Sequence, residues 1–339
     1  MTAEKTIFGL LRAVSFHPLA ALPLAWVLCC CLVASAAARG PEPPITAIAI
    51  SPDGAVVVVG SQAGIETRSW PALGPLDGIK TELTNVHDLV FSPDGSLLAA
   101  AGGAPGQFGG VEIYNWPERK LLGRTQPHDD LIYSVAWSGD SARLATASGD
   151  QRLGVFQVDR TKPPSLTLSR MLEGHSRGIL AASFLPGEER LLSAGIDETV
   201  RLWDISTGAT LRTLSNHTRP VVSLAVRPGA GREGPPMAAS AGSDRTVRFW
   251  QPTIGRLVRF IRLESAPLAI AWSLDGKSVS SACHDGHLRQ IDPETAALLG
   301  DWPAIDGPAH ALAVAQDGSV LVGGENGQLV RVPVRDVLR

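Results

Sequence analysis

Ala182-Ser183-Phe184-Leu185-Pro186-Gly187, Leu191-Leu192-Ser193-Ala194, Thr199-Val200-Arg201-Leu202-Trp203 and Ala209-Thr210-Leu211-Arg212-Thr213-Leu214 decide the fold of this chain. Short apolar runs with turn residues between them read as an antiparallel meander of four strands. The first run and its turn recur upstream as Ile48-Ala49-Ile50-Ser51-Pro52-Asp53-Gly54, Leu89-Val90-Phe91-Ser92-Pro93-Asp94-Gly95 and Val135-Ala136-Trp137-Ser138-Gly139-Asp140. Downstream they recur as Leu224-Ala225-Val226-Arg227-Pro228-Gly229, Ile270-Ala271-Trp272-Ser273-Leu274-Asp275-Gly276 and Leu312-Ala313-Val314-Ala315-Gln316-Asp317-Gly318. Seven copies between Ile45 and Arg339 give a unit of roughly 42 residues. One four-stranded sheet cannot cover both of its faces. Seven packed radially cover each other, so an all-β, seven-bladed β-propeller of four-stranded antiparallel blades is expected over 45–339.

Composition agrees with a turn-rich β protein: 35 Gly and 25 Pro in 339 residues. Thirty basic and 33 acidic side chains leave a net charge of −3. No strongly basic field gathers nucleic acid, so a nucleic-acid partner is not expected. Three of the four cysteines are adjacent, Cys29, Cys30 and Cys31, and Cys283 stands apart. That excludes an intramolecular disulfide framework.

Residues 1–38 are a separate object. Leu19 to Ala38 is apolar and long enough for a membrane-crossing helix, with Lys5 and Arg12 before it. Ala34-Ser35-Ala36-Ala37-Ala38 offers small-residue cleavage sites. The segment reads as a cleaved export signal or as a retained anchor; a buried helix is the third reading. Residues 39–44 form a Pro-rich spacer. Arginine outnumbers lysine 25 to 5, which hints at a GC-rich genome. The expectation is an exported propeller, periplasmic, extracellular or anchored with its body outside the cytoplasm, in a bacterial envelope. Membrane contact would then run only through the N-terminal segment.

The repeated units resemble WD-repeat β-propeller blades over essentially all of 45–339. The resemblance is carried best by Gly174-His175, Ser193, Asp197 and Trp203-Asp204. In that family such residues form a hydrogen-bonded tetrad, with the tight-turn Asp binding the His, which reaches the Ser or Thr and then the indole. The next unit repeats the set with His217, Ser240, Asp244 and Trp250. The preceding unit gives His128, Thr146 and Asp150, with Phe156 in place of Trp. Ser or Thr to Asp is four residues in all three units, and Asp to the aromatic is six. A longer loop, Gly229 to Pro236, stretches the fifth unit.

Other units depart from the pattern. The sixth keeps Ser281 and Asp285 but has Ile291 for Trp and no His. The second has Tyr114 at the Trp position and a long loop from Gly102 to Gly110. The first and seventh lack the tight-turn Asp, with Ala63 and Asn326 nearby. Tetrads are therefore expected in the middle of the ring, with apolar packing at its ends. The last unit shows three good strands ending near Val334, so a three-stranded or loosely closed final blade is expected. Trp70, Trp116 and Trp302 adjoin prolines and are expected to pack between blades.

No catalytic motif stands out. The Ser193–His175–Asp197 trio resembles a hydrolase triad on paper, but its recurrence in neighbouring units marks it as structural. Cys283-His284-Asp285-Gly286-His287 is the densest set of metal-binding side chains. It crosses a tight turn where strand alternation splays them, so neither a metal nor another cofactor is expected. The innermost runs show no recurring Asp, Glu or His, which argues against catalysis at the axis. The resemblance implies a non-catalytic scaffold for protein partners, held on the face of the tight turns. Carried over by position, the contact candidates are Asp130, Arg177 and Arg219 at strand starts, and Ile196, Ser243 and His284 before the tight-turn Asp. The partner itself is not named by the sequence. The alternative is an enzyme or small-ligand binder using the channel mouth.

Overall fold

The computed structural model describes residues 42–160, 165–187, 189–229 and 234–334. The expected N-terminal helix, residues 39–41 of the spacer and residues 230–233 of the long loop lie outside the described residues.

Seven antiparallel sheets follow each other along the chain. Blade 1 holds β1 (Ala47–Ile50), β2 (Val56–Ser61) and β3 (Gly64–Ser69). Blade 2 holds β4 (Val86–Phe91), β5 (Leu97–Ala104), β6 (Phe108–Asn115) and β7 (Leu121–His128). Blade 3 holds β8 (Ile132–Trp137), β9 (Arg143–Ser148), β10 (Arg152–Asp159) and β11 (Ser165–Glu173). Blade 4 holds β12 (Ile179–Phe184), β13 (Arg190–Gly195), β14 (Val200–Asp204) and β15 (Thr210–Leu214). Blade 5 holds β16 (Val221–Val226), β17 (Ala238–Gly242), β18 (Thr246–Gln251) and β19 (Arg256–Arg262). Blade 6 holds β20 (Pro267–Trp272), β21 (Val279–Cys283), β22 (His287–Ile291) and β23 (Leu298–Pro303). Blade 7 holds β24 (Ala309–Val314), β25 (Val320–Gly324) and β26 (Leu329–Val332). Within each blade, neighbours in sequence are neighbours in the sheet, so every connection is a hairpin.

The recurring Ser-Pro-Asp-Gly turn has a local cause. Ser92 Oγ donates to Asp94 Oδ1 at 2.6 Å, and the Leu97 N–H donates back to Ser92 Oγ at 3.0 Å. Gly95 sits at φ 75°, where a side chain is disfavoured. The turn therefore closes the first hairpin of blade 2 on the lower face of the ring, opposite the upper face that carries the tight turns between second and third strands. Ser273 and Asp275 repeat it in blade 6.

Burial is between blades, not at the axis. Seven apolar clusters occupy the seven blade interfaces. Middle strands such as β9 and β17 are buried on both faces, which explains their run of small residues. Trp116, Trp302 and Trp70 are half-buried and pack against three of these clusters.

The final blade has three strands among the described residues, as its sequence implies. The first blade also has three among the described residues, which the sequence did not signal. There, isolated bridges Arg68–Pro75 and Ile65–Ile79 take the place of an outer strand. The ring closes by packing. Ile45, Ile48, Val57 and Val59 of blade 1 meet Ala311 and Leu321 of blade 7. The Ile45 N–H donates to the Gly324 carbonyl at 2.9 Å, and Gln316 Nε2 to the Pro52 carbonyl at 2.8 Å. Arg331 lies over the Trp70 ring at 5.0 Å.

Candidate functional site

In blade 4 the histidine comes from the connection between β11 and β12, and the serine from β13. His175 Nε2 lies 2.7 Å from Ser193 Oγ, and Nδ1 lies 2.8 Å from Asp197 Oδ2. Trp203 Nε1 donates to the same Ser193 oxygen at 2.8 Å. One proton arrangement satisfies every group: indole to serine, serine to imidazole, imidazole to carboxylate. Blade 5 repeats this with His217, Ser240, Asp244 and Trp250 at 2.8–2.9 Å. Blade 3 places His128 2.8 Å from both Asp150 and Thr146. Phe156 has no indole N–H to add, and Thr146 instead accepts the Gly154 N–H at 3.2 Å.

Each set ties the connection from one blade to the tight turn of the next. A Cβ on Gly242 would lie 2.4 Å from His217 Nδ1, so glycine is required there. Burial would raise Asp197, but the His175 hydrogen bond and charge outweigh it and hold the carboxyl at about 2. Asp244 behaves alike: burial opposes, and Thr246 and His217 hold it at about 2. Asp150 is held lower still, against burial, by His128 and Arg152. Burial pushes His217 below its usual value despite Asp244. These serines are fully buried and already bonded on both sides, so none is presented to a substrate.

Blade 6 solves the same problem differently. Arg289, 2% exposed, reaches Asp285 with Nη1 at 3.0 Å and Nη2 at 2.7 Å, and Asp301 with Nε at 3.0 Å. The guanidinium thus occupies the partner role that histidine fills elsewhere. The sequence signal was an Arg four residues after the tight-turn Asp, shared by Arg201, Arg248 and Arg289. Ser281 makes only a 3.6 Å contact with Cys283, whose thiol burial pushes up. His287 Nδ1 lies 2.6 Å from Asp301. The Cys283–His287 run is therefore bound into turn and ion-pair chemistry. Among the described residues no group of three or more His, Cys, Asp or Glu could hold a metal.

Blade 2 carries a network that the sequence reading missed. Glu112, 2% exposed, accepts from Thr81 Oγ1 at 2.6 Å, from the Glu82 N–H at 3.1 Å and from the Tyr114 hydroxyl. Here Tyr114 at the tryptophan position brings its own hydroxyl, and a buried carboxylate supplies the acceptor.

The axis is a channel of about 510 Å³. Its wall is not symmetric. Thr46, His87, Tyr133 and His310 line one arc, and Leu180, Val222 and Leu268 the other. Asp88 also lines it, an inward acid in a single blade. Its carboxylate accepts the Val135 N–H at 2.9 Å and the Leu89 N–H at 2.9 Å, joining β4 to β8. Burial by the channel walls pushes it up to about 6, against these bonds. His87 is pushed down by burial.

The six partner-contact candidates lie on the upper face, at loops leading into inner strands and at tight turns. Arg177, Arg219 and His284 are exposed; Ile196 and Ser243 are half-buried. The Ile196, Ser243 and His284 N–H groups each donate to the loop of their own blade, at 2.8–2.9 Å. Asp130 is different. Its Oδ1 accepts the Gly106 and Leu131 N–H groups, both at 2.7 Å, so it pins the long hairpin of blade 2.

The family described as WD domain, G-beta repeat matches residues 119–157, 166–204 and 208–251. Coronin-7 of Mus musculus is 33% identical over 211 residues, covering 59% of this chain and 18% of its own length. The COMPASS component SWD3 of Saccharomyces cerevisiae is 26% identical over 45% of this chain and 44% of its own. The tRNA (guanine-N(7)-)-methyltransferase non-catalytic subunit wuho of Drosophila mojavensis is 29% identical over 49% of this chain and 43% of its own. The chain spans less than half the length of each of these relatives. They correct the expected setting: all three are eukaryotic WD-repeat proteins, not bacterial envelope proteins, so the exported location falls. Among the described residues no helix is long and apolar enough to cross a membrane. The chain thus carries three matched WD repeats inside a ring of seven β-propeller blades.

Proposed function

We propose that this propeller is a non-catalytic scaffold that holds a protein partner on its upper face, with Arg177 and Arg219 at the centre of the contact. The carrying observation is how the ionisable groups are used. The repeated His and Ser or Thr of blades 3 to 5 are consumed in buried hydrogen-bonded sets, while Arg177 and Arg219 stand exposed on adjacent blades with no ion-pair partner among the described residues. Arginine is enriched where interfaces concentrate their binding energy. Wuho is a non-catalytic subunit by name, which agrees with a propeller that organises another chain's work. The channel's Asp88 gives its oxygens to backbone N–H groups of two blades, which argues against a free acid or base at the axis.

Photo-crosslinking tests the face. Arg177→p-benzoylphenylalanine and Arg219→p-benzoylphenylalanine are expected to trap the same partner chain. A probe at Lys277, on the lower face, is expected to trap none. Equal trapping from Lys277, or trapping from there alone, overturns the assignment.

A further inference from the structure

Blade 5 is charged unlike the rest of the molecule. Between His217 and Glu264 there are eight arginines and three acidic residues, a net of +5 in a chain of net −3. Its outer strand β19 reads Arg-Leu-Val-Arg-Phe-Ile-Arg and has no acid. Arg256, Arg259 and Arg262 are all exposed, and none of their guanidiniums has a hydrogen-bond or ion-pair partner among the described residues. Neighbouring arginines are engaged. Arg212 donates to the Thr253 carbonyl at 3.0 Å, and Arg248 pairs with Asp244.

The register shows what is special about this strand. Arg289 of blade 6 faces Asp301 across the sheet, an acid that neutralises it. The same pairing in blade 5 sets Arg248 against Phe260, and in blade 4 Arg201 against Thr213. Phe260 is 54% exposed, with Arg248 stacked on its ring at 5.2 Å. The strand is thus cationic and aromatic where its neighbour is neutralised. Its outer side is also open: β19 pairs with β18 alone. Charge on an edge strand does guard against edge-to-edge association. Such a guard does not call for an exposed aromatic between the arginines.

We propose that β19 is a docking edge for an extended acidic peptide segment of a protein partner, which adds to blade 5 as a fifth strand. Backbone hydrogen bonds give the pairing, and carboxylates set against Arg256, Arg259 and Arg262 give the selectivity. A peptide fits better than a nucleic acid. The unpaired N–H and C=O groups match another peptide backbone, and three free guanidiniums on an acidic molecule form too small a field for a polyanion. This surface is separate from the upper face, and either assignment can fail without the other.

The test uses the full chain and a fluorescein-labelled peptide of alternating Glu and Val, about ten residues long, long enough to cover the strand. A Lys-Val peptide, an oligothymidylate and anionic vesicles are the comparisons. The Glu-Val peptide is expected to bind saturably and to slow hydrogen exchange at residues 256–262. Arg256→Glu/Arg259→Glu, with melting unchanged, is expected to weaken it by about tenfold or more and to bind the Lys-Val peptide instead. Should the charge reversal disturb melting, Arg256→Gln/Arg259→Gln is read in its place, with the same expected loss. No binding of the Glu-Val peptide overturns the proposal. So does equal binding to the folded variant, protection confined to other strands, or tighter binding of the oligonucleotide or vesicles.

Discussion

At the scale of single residues, the tetrads show why one side chain can matter as much as a patch of core. Asp197 is nearly buried and holds the His175 imidazole and the Ser176 and Thr199 N–H groups. Asp197→Ala removes the acceptor and leaves those donors unpaired, at a cost of about 3 kcal/mol. In a molecule of this size that lowers the melting temperature by roughly 5–10 °C. Thermal unfolding followed by circular dichroism checks it; a fall below about 2 °C contradicts the assigned role. The spacing of His, Ser, Asp and Trp named, in advance, atoms that the structure brings within 2.9 Å. It could name them because a hairpin of fixed length converts sequence spacing into distance. The hold of Asp130 on the blade 2 hairpin was not legible for the complementary reason. Its partner Gly106 is 24 residues away in a long hairpin, and no periodicity reports that contact. Glu112 was missed likewise, since Thr81 and Glu82 reach it across a segment with no repeat.

At the scale of elements, tight turns, blade connections and inner strands are tied together by side chains whose charge depends on pH. Asp197 and Asp244 titrate near 2 in the folded protein, below the ordinary carboxylate value of about 3.9. Their contribution is complete above about pH 4 and is lost as pH falls through their folded values. His217 is held below its usual value of about 6.5, so its contribution is lost as pH falls from there. Asp88 runs the other way. Its folded value near 6 is raised, so its contribution is present below about pH 4 and is lost as pH rises through 6. Asp88 therefore blunts the gain in stability between about pH 4 and 7. Asp88→Asn is expected to show a larger rise in melting temperature over that interval than the unaltered chain. Melting scans across the range decide it, and an equal or smaller rise contradicts the assignment. The strands themselves were readable from alternation and turn residues. The asymmetry of the channel wall was not, because its residues are spread over seven blades with different side chains at one register.

At the scale of the whole molecule, the ring closes without exchanging a strand among the described residues, so its seam rests on packing between blades 7 and 1. Leu321 is fully buried in that seam. Leu321→Ala is expected to cost about 3 kcal/mol and to speed hydrogen exchange first in β1, β24 and β25. Exchange that rises evenly around the ring contradicts a seam held in this way. The seven-fold organisation was legible because every blade repeats one hairpin chemistry. The three-stranded first blade was not, because Gly64 to Ser69 still reads as a good strand and the segment from Trp70 to Asn85 carries no period.

The central claim is that the exposed arginines of blades 4 and 5 hold a protein partner while the buried His, Ser and Asp sets only hold the fold. Quantitative affinity purification of the tagged chain tests it most directly, comparing the unaltered protein with Arg177→Ala/Arg219→Ala after both are shown to melt alike. The expected result is one near-stoichiometric partner with the unaltered chain and its loss from the double variant. A partner retained at full stoichiometry by the folded double variant, or none with either chain, contradicts it.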